Sequence, residues 1–154
     1  MNLNKFNKFL SNYKKPNIVI IGLGNQARKD DGAGLLLIDQ LQNREIFKKI
    51  HFIQVGRTPE NYLQKILSVE PELVIFVDSI DCNTSDEISL FTSEELEEEQ
   101  FSTHSYSIKL IAKYIKKYGN PDIRYLGIPI RNTQIQFNIS SDVNNYINKF
   151  LYSD

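Results

Sequence analysis

The sequence predicts an α/β fold, a three-layer α/β/α sandwich with a twisted, mostly parallel (mixed) sheet of about five strands. Short apolar runs rich in isoleucine and valine alternate with segments whose apolar residues recur at helical spacing, which is the pattern of a parallel sheet covered by helices. The first run, NIVIIGL at 17–23, is apolar on both faces, as expected for a buried central strand. A glycine-rich turn follows it directly.

Four further segments complete the predicted sheet. HFIQV is the second strand, and ELVIFVDSI is a third that ends near Asp78. EISLFT and IRYLGIPI are the fourth and fifth, and TQIQFN at 133–138 is a candidate for one more. The β-branched composition and short length of these runs favour strands over buried helices.

Helical spacing predicts the segments between the strands. A helix follows the glycine-rich turn near 35–42, and Thr58 with Pro59 begins another, as a cap followed by proline at the first helical position. A longer helix covers 108–117, with Gly119 as its stop signal, and SSDVNNYINKFL is the last helix.

The acidic segment TSEELEEEQ at 92–100 begins with Thr92 and Glu95 at the spacing of a capping box. A run of like charges in such a position is usually a solvated helix face. We therefore expect a structural role for this segment.

We predict one domain over 1–154, because 154 residues with 41% apolar side chains suit a single core. Within it, 1–15 form an added amphipathic helix, since Leu3, Phe6 and Leu10 recur at helical spacing. This segment lacks the continuous apolar stretch of a signal peptide.

Composition limits the classes of partner. The formal net charge is -1, from 18 basic and 19 acidic residues, which gives no electrostatic basis for binding nucleic acid or a membrane surface. The single cysteine, Cys82, permits no internal disulfide and is compatible with a reducing compartment. We expect a cytoplasmic monomer that acts on a protein or a small molecule.

Acidic residues follow two strands at the place where α/β proteins bind ligands, the carboxyl ends of the strands. Asp30 and Asp31 follow the first strand and Asp78 lies at the end of the third, which is its neighbour in a flavodoxin-like order. His104 precedes a helix and adds an imidazole. Two carboxylates and one imidazole suit a transition metal and leave a position open for substrate or water.

Each of these residues has a structural alternative. Asp31 is equally suited to a turn or a helix cap, and a lone histidine such as His104 is more often a hydrogen-bonded structural residue than a ligand. GLGNQA also matches a loose dinucleotide-binding turn, but KDDG intervenes before the helix and the second strand ends without an acid. A serine hydrolase elbow, GxSxG, does not occur in the sequence.

Taken together, several motifs in order resemble the hydrogenase maturation endopeptidases. They are GLGNQARKDDGAG after the first strand, VGRTPEN after the second, VDSID at the third, THS before a helix, YLGI, and ISSDV at the start of the last helix. The resemblance extends from 17 to 151. Lys29 stands where many members have glycine, and Pro129 with Ile130 replaces a glutamine-proline pair.

The resemblance implies a nickel-dependent endopeptidase that removes a C-terminal extension from the large-subunit precursor of a [NiFe] hydrogenase after nickel insertion. Asp31, Asp78 and His104 match the metal ligands and catalytic residues. The nickel would be supplied by the substrate, and a surrogate divalent metal could bind to the same ligands.

The resemblance also implies roles for the residues near these ligands. The loop containing Gly56, Arg57 and Thr58 would bind substrate, and Asp30 would support the site. Gly32 and Gly34 would keep the approach to Asp31 open. Two other functions stay open, a non-catalytic domain that holds the immature subunit and a dinucleotide-binding enzyme.

Overall fold

The structure, a computed structural model, describes residues 1–81, 86–95, 104–130 and 138–153. Cys82, the end of the acidic run at 96–100 and nearly all of the candidate strand at 133–138 lie outside these ranges. The described strands are β1 Ile18–Leu23, β2 His51–Gly56, β3 Leu73–Asp81, β4 Ser89–Phe91 and β5 Asp122–Ile130. The described helices of at least six residues are α1 Leu3–Leu10, α2 Ala33–Gln42, α3 Leu63–Ser68, α4 Ser105–Gly119 and α5 Ser141–Tyr152.

The strands form one mixed sheet in the order β2-β1-β3-β5-β4. Only β4 runs antiparallel to its neighbour among the described strands, while the pairs of β1 with β2, β1 with β3 and β3 with β5 are parallel. The chain passes from β1 outward to β2 and then crosses to the other side of β1 to make β3. Strand order therefore reverses at β1 and β3, as the flavodoxin-like prediction required.

Helices cover both faces of the sheet, and this confirms the predicted three layers. On one face Ile20 and Ile75 pack in a core with buried residues of α1, α2 and α5. On the other, Ile21 and Phe76 pack with α3 and α4. Alternate residues of the central strands thus enter different cores, which explains why the first strand is apolar at every position.

The third strand is longer than predicted. It continues past Asp78 to Asp81, because its last four residues pair with Gly127–Ile130 of β5. Its pairing with β1 ends one residue before Asp78, at Val77 opposite Gly22. Asp78 is therefore the first residue of β3 beyond its pairing with β1.

The predicted N-terminal helix is present and packs on the first of these cores. The Phe6 ring lies 6.4 Å from that of Phe47 and 5.7 Å from that of Phe150, centroid to centroid. The hydroxyl of Tyr13 donates to Asp122 at the start of β5. Within the described residues, no helix combines the length and the apolar character needed to cross a bilayer.

The predicted helix signals are met in part. Thr92 and Glu95 form the capping box, with Thr92 N–H donating to Glu95 Oε2 at 2.7 Å and Glu95 N–H donating to Thr92 Oγ1 at 3.2 Å. Thr58 makes no side-chain capping bond, and Pro59 begins a 3-10 turn that precedes α3. At the end of α4, Asn120, one residue after the predicted stop signal Gly119, takes the left-handed conformation.

Candidate active site

The candidate site lies at the switch point, in the crevice where β1 stops and β3 continues. Asp30 and Asp31 come from the turn after β1, Asp78 comes from β3, and His104 lies immediately before α4. All three carboxylates are almost fully buried, with Asp30 1%, Asp31 5% and Asp78 4% exposed. The topology therefore brings together residues separated by more than seventy positions in sequence.

The turn after β1 folds back on itself to present the two acids. Asn25 N–H donates to the Asp31 carbonyl at 3.1 Å, and the KDDG segment, Lys29–Gly32, is a 3-10 helix. Gly24 has φ of +135°, and a side chain there would meet the Asp31 carbonyl oxygen at 2.2 Å. Only glycine at position 24 therefore leaves room for the Asp31 carbonyl in this turn.

Gly34 has a different role from the one expected. A Cβ at this position would lie 2.5 Å from the Leu23 carbonyl oxygen and 2.6 Å from that of Val77. Gly34 therefore allows α2 to pack directly on β1 and β3, and we find no contact that makes it part of an open approach to Asp31. A Cβ on Gly32 would lie 3.3 Å from the Gln26 backbone, which also places it inside the folded turn.

Asp30 supports the site, as expected, and its partner is the start of α5. The carboxylate accepts the Ser140 N–H at 2.7 Å and the Ser140 hydroxyl at 2.8 Å. Ser140 Oγ in turn accepts the Val143 N–H and so caps the helix. This buried link joins the acidic turn to the C-terminal helix across 110 residues of sequence.

Asp78 and His104 are in direct contact. His104 Nδ1 lies 3.1 Å from Asp78 Oδ2 and 3.3 Å from Oδ1, and the histidine side chain is 15% exposed. A carboxylate at Nδ1 fixes the orientation of the ring. His104 thus has a defined place in the site.

The buried Ser79 links the other two acids. Its N–H donates to Asp78 Oδ1 at 2.8 Å, and its hydroxyl lies 3.4 Å from Asp31 Oδ1. Sequence reasoning missed Ser79, although it directly follows Asp78 in the VDSID motif. Ser140, in the ISSDV motif, was predicted only as the start of a helix, and its link to Asp30 was not predicted.

The charges around His104 favour its protonated form in the metal-free protein. The hydrogen bond with Asp78 raises the pKa of His104 above its ordinary value, and the negative charges of Asp78 and Asp31 act in the same direction. Burial and the positive charge of Arg57 lower this pKa, but the carboxylates prevail.

The carboxylate oxygens and imidazole nitrogen of the site are donor atoms that bind metals. Two of these atoms also lie at a distance that is typical of neighbouring ligands. Neighbouring ligands of a metal with bonds of about 2.0–2.2 Å lie roughly 2.8–3.6 Å apart, from octahedral to tetrahedral geometry. The 3.1 Å separation of His104 Nδ1 and Asp78 Oδ2 falls in that range. Among the described residues, however, no three His, Cys, Asp or Glu side chains are gathered into a metal-binding group. The role of all three as metal ligands stays a prediction.

The predicted substrate loop lies beside the site. The Gly56 carbonyl accepts the N–H of Gly24, and Gly56 has φ of +59°. The exposed Arg57 is close enough for its charge to oppose protonation of His104. These positions put the loop of Gly56, Arg57 and Thr58 at the rim of the crevice, and its contact with substrate stays a prediction.

Lys29 marks a departure from the resembling family that has a structural consequence. Its φ is +29°, in the left-handed region where glycine is favoured. The many family members with glycine at this place would adopt the turn without that strain. With Lys29 in this conformation, the turn keeps the bonds of Asn25 N–H to the Asp31 carbonyl and of Asp31 N–H to the Arg28 carbonyl.

Comparison with known proteins identifies the family. The model of the hydrogenase maturation protease family HycI matches residues 35–152. A protein of Methanocaldococcus jannaschii, provisionally named a hydrogenase maturation protease, is 30% identical over an alignment of 130 residues that covers 77% of this chain and 74% of that protein.

Solved structures give the same answer. The crystal structure of the [NiFe] hydrogenase maturation protease HycI from Thermococcus kodakarensis KOD1 is 28% identical, with a TM-score of 0.76 over 94% of this chain and 92% of that one. The solution structure of the endopeptidase HycI from Escherichia coli covers 86% of this chain and 85% of its own, with a TM-score of 0.71. Its identity is 20%, so that likeness bears on the fold alone. With this fold and the family match over most of its length, the chain belongs to the hydrogenase maturation protease family and is a protease.

Proposed function

We propose that this protease removes the C-terminal extension of a [NiFe] hydrogenase large-subunit precursor, and that it does so only after nickel has been inserted. The observation that carries the proposal is the contact of Asp78 with His104 beside Asp31 at the switch point, in a chain of this family. The precursor is the protein partner, and its nickel is part of the substrate.

Asp31, Asp78 and His104 are the proposed contacts to that nickel. Carboxylate oxygens and imidazole nitrogen are suitable donors for nickel, and a surrogate divalent ion can bind to the same atoms. Asp78 and His104 have the spacing of neighbouring ligands, while Ser79 lies between Asp78 and Asp31. The third donor comes from the turn that Gly24 and Asp30 hold in place.

Hydrolysis of the peptide bond then needs a base and a positioned carbonyl. A carboxylate of Asp31 or Asp78 takes a proton from water, whose oxygen adds to the scissile carbonyl carbon. The carbon–nitrogen bond breaks, the departing nitrogen takes up a proton, and the products are a new C-terminal carboxylate and a free peptide.

Substrate checking follows from the origin of the metal. A nickel-free precursor lacks the contact that holds its scissile bond against Asp31 and Asp78, so the proximity on which hydrolysis depends is lost. The loop at Gly56, Arg57 and Thr58 adds contacts to the chain around the cleavage site. Arg57 would bind a carbonyl or carboxylate group of that chain.

The test of this function is cleavage of a nickel-loaded precursor, followed by mass spectrometry of both products. Wild-type protein should release one discrete C-terminal peptide, whereas Asp31→Asn, Asp78→Asn and His104→Ala should release none. His51→Ala is the matched control. His51 is the only other histidine in the sequence, and it is exposed at the start of β2, at the end of the sheet opposite to the candidate site. It should cut at the wild-type rate.

Circular dichroism shows whether the variants are folded. Processing by an Asp31/His104 double variant would refute the site assignment. Binding of nickel-loaded precursor without cleavage by the wild type would favour the holding function instead.

A further inference from the structure

Ser79 is a fully buried polar residue of the candidate site that takes no part in the proposed chemistry. It is 0% exposed, on a strand whose first five residues, Leu73–Val77, are all apolar. Alanine at this position would avoid the cost of taking a hydroxyl group out of water, and a buried hydroxyl is tolerated only when it has a partner. A contact of the hydroxyl, rather than packing, therefore explains serine at position 79.

Neighbouring residues of β3 point to opposite faces of the sheet. Val77 belongs to the core that α2 and α5 cover, and Phe76 belongs to the core that α3 and α4 cover. The same alternation places Asp78 toward α4 and Ser79 toward α2. Because the turn that carries Asp31 leads directly into α2, the two acids reach the crevice from different sides of the sheet.

Ser79 contacts both of these acids. Its N–H donates to Asp78 Oδ1 at 2.8 Å, whereas His104 Nδ1 lies nearer to Oδ2 of the same carboxylate. The Ser79 hydroxyl lies 3.4 Å from Asp31 Oδ1. This distance is long for a hydroxyl donor, but hydrogen bonds in unliganded active sites are often long and tighten when the substrate binds. One residue thus lies between a carboxylate from each side of the sheet.

We propose that Ser79 is a positioning residue, which holds Asp31 and Asp78 at the separation at which both carboxylates reach the nickel of the precursor. The inference rests on the proposed function and deepens it. Ser79 has no exposed surface, so it acts through the two acids and does not touch the substrate.

The hydroxyl is the part of Ser79 that a substitution can remove, since the N–H that holds Asp78 belongs to the backbone. Without the hydroxyl, the Asp31 carboxylate can turn away from the position that nickel requires. The contact of Asp78 with His104 does not depend on this hydroxyl and should stay.

The first test measures cleavage of nickel-loaded precursor by Ser79→Ala. We expect kcat/KM to fall on the order of tenfold or more, because small displacements of an active-site group reduce the rate steeply. Ser79→Thr keeps the hydroxyl and is compatible with a strand, so it should cut at close to the wild-type rate. Val74→Ala is the control for lost stability, because Val74 is also 0% exposed and lies on the same strand away from the site. It should unfold at a lower urea concentration and cut at the wild-type rate.

The second test measures binding of the nickel-loaded and nickel-free forms of one precursor by biolayer interferometry. The wild type should prefer the nickel-loaded form, and Ser79→Ala should reduce this preference by about fivefold, as expected for the loss of one hydrogen bond. Ser79→Thr and Val74→Ala should keep the wild-type preference. A purely structural role of the hydroxyl would leave this ratio of affinities unchanged.

The two measurements separate this inference from the proposed function. If the wild type prefers the nickel-loaded form but cuts neither, the proposed function fails, and a smaller preference in Ser79→Ala still supports the positioning role. If the wild type cuts and Ser79→Ala keeps both its kcat/KM and its preference, the positioning role is refuted and the function stands. A loss of rate in Ser79→Ala that Ser79→Thr shares, or that leaves the preference unchanged, would also overturn the positioning role. Absence of any preference in the wild type would overturn it together with the proposed contact to nickel.

Discussion

The link between Asp30 and Ser140 should be one of the main determinants of stability in the acidic turn. Asp30 is 1% exposed and accepts both the N–H and the hydroxyl of Ser140, at 2.7 and 2.8 Å. Hydrogen bonds to a charged group contribute about 1.5–3 kcal/mol each, and removing one partner leaves the other buried without a bond. We expect Asp30→Ala to lower the free energy of unfolding by about 3–5 kcal/mol, the range that such losses reach in combination.

The Ser140→Ala variant should lose the hydroxyl bond to Asp30 and the cap on Val143 together. A lost cap costs about 0.5–2 kcal/mol, so the total should be about 2–5 kcal/mol. Ser141→Ala is the matched control at the next position, exposed and in the first turn of α5. It should change stability by less than about 0.5 kcal/mol.

Urea denaturation of the two single variants and the double variant completes the cycle. Because both single changes remove the same hydroxyl bond, the double variant should be less destabilised than their sum by at least about 1 kcal/mol. Losses that add to within about 0.5 kcal/mol would refute the link between the turn and α5. The wild-type m-value in all variants would show that the same unfolded state is compared.

Three further predictions concern the site and its supports. Gly34→Ala should lower the free energy of unfolding in urea by about 2 kcal/mol or more, because the added Cβ would meet backbone oxygens at 2.5 and 2.6 Å. Gly119→Ala is the control and should not change stability, because the nearest atom to its Cβ lies at 3.9 Å. Equal stability of the two variants would contradict this prediction. Lys29→Gly should raise the free energy of unfolding by about 0.5 kcal/mol. Glycine relieves the left-handed backbone strain at position 29, and this gain slightly exceeds the extra entropy of the unfolded chain. A loss of stability would show that Lys29 is not strained. NMR titration of the metal-free protein should place the pKa of His104 above 6.5, and Asp78→Asn should lower this pKa. The stability that the pair contributes is fully present below pH 6.5 and is lost as the pH rises through the folded-state pKa of His104. A His104 pKa below 6.5 in the wild type would exclude the ion pair.

The centre of the sheet was predictable from local sequence because its first strand is apolar at every position. Ile18–Leu23 has no polar residue, and only a strand covered on both faces tolerates that. The end of β3 was not predictable, since Asp78 to Asp81 belong to the strand through pairing with β5, and pairing is a long-range property. The end of α4 also differs from the prediction, since Asn120 takes the left-handed conformation although a glycine precedes it.

The candidate site was predictable in its residues but not in its contacts. The sequence placed Asp31, Asp78 and His104 at strand and helix ends, and the fold brings these positions to one crevice. Their supports were not, because Ser79 meets Asp31 across 48 positions and Ser140 meets Asp30 across 110. Serine is common in turns and caps, so neither residue had a distinctive local pattern. The role of Gly34 likewise appears only when α2 lies on the strands.

The claim at the centre of this account is that the substrate's nickel completes the site. The measurement that tests it most directly is the initial rate of peptide release by wild-type protein from nickel-loaded and nickel-free forms of one precursor, followed by intact-mass spectrometry. We predict release from the nickel-loaded form alone, and restored release when nickel is inserted into the same nickel-free sample. Equal rates from the two forms would contradict the account and would leave Asp31, Asp78 and His104 to act without the substrate's metal.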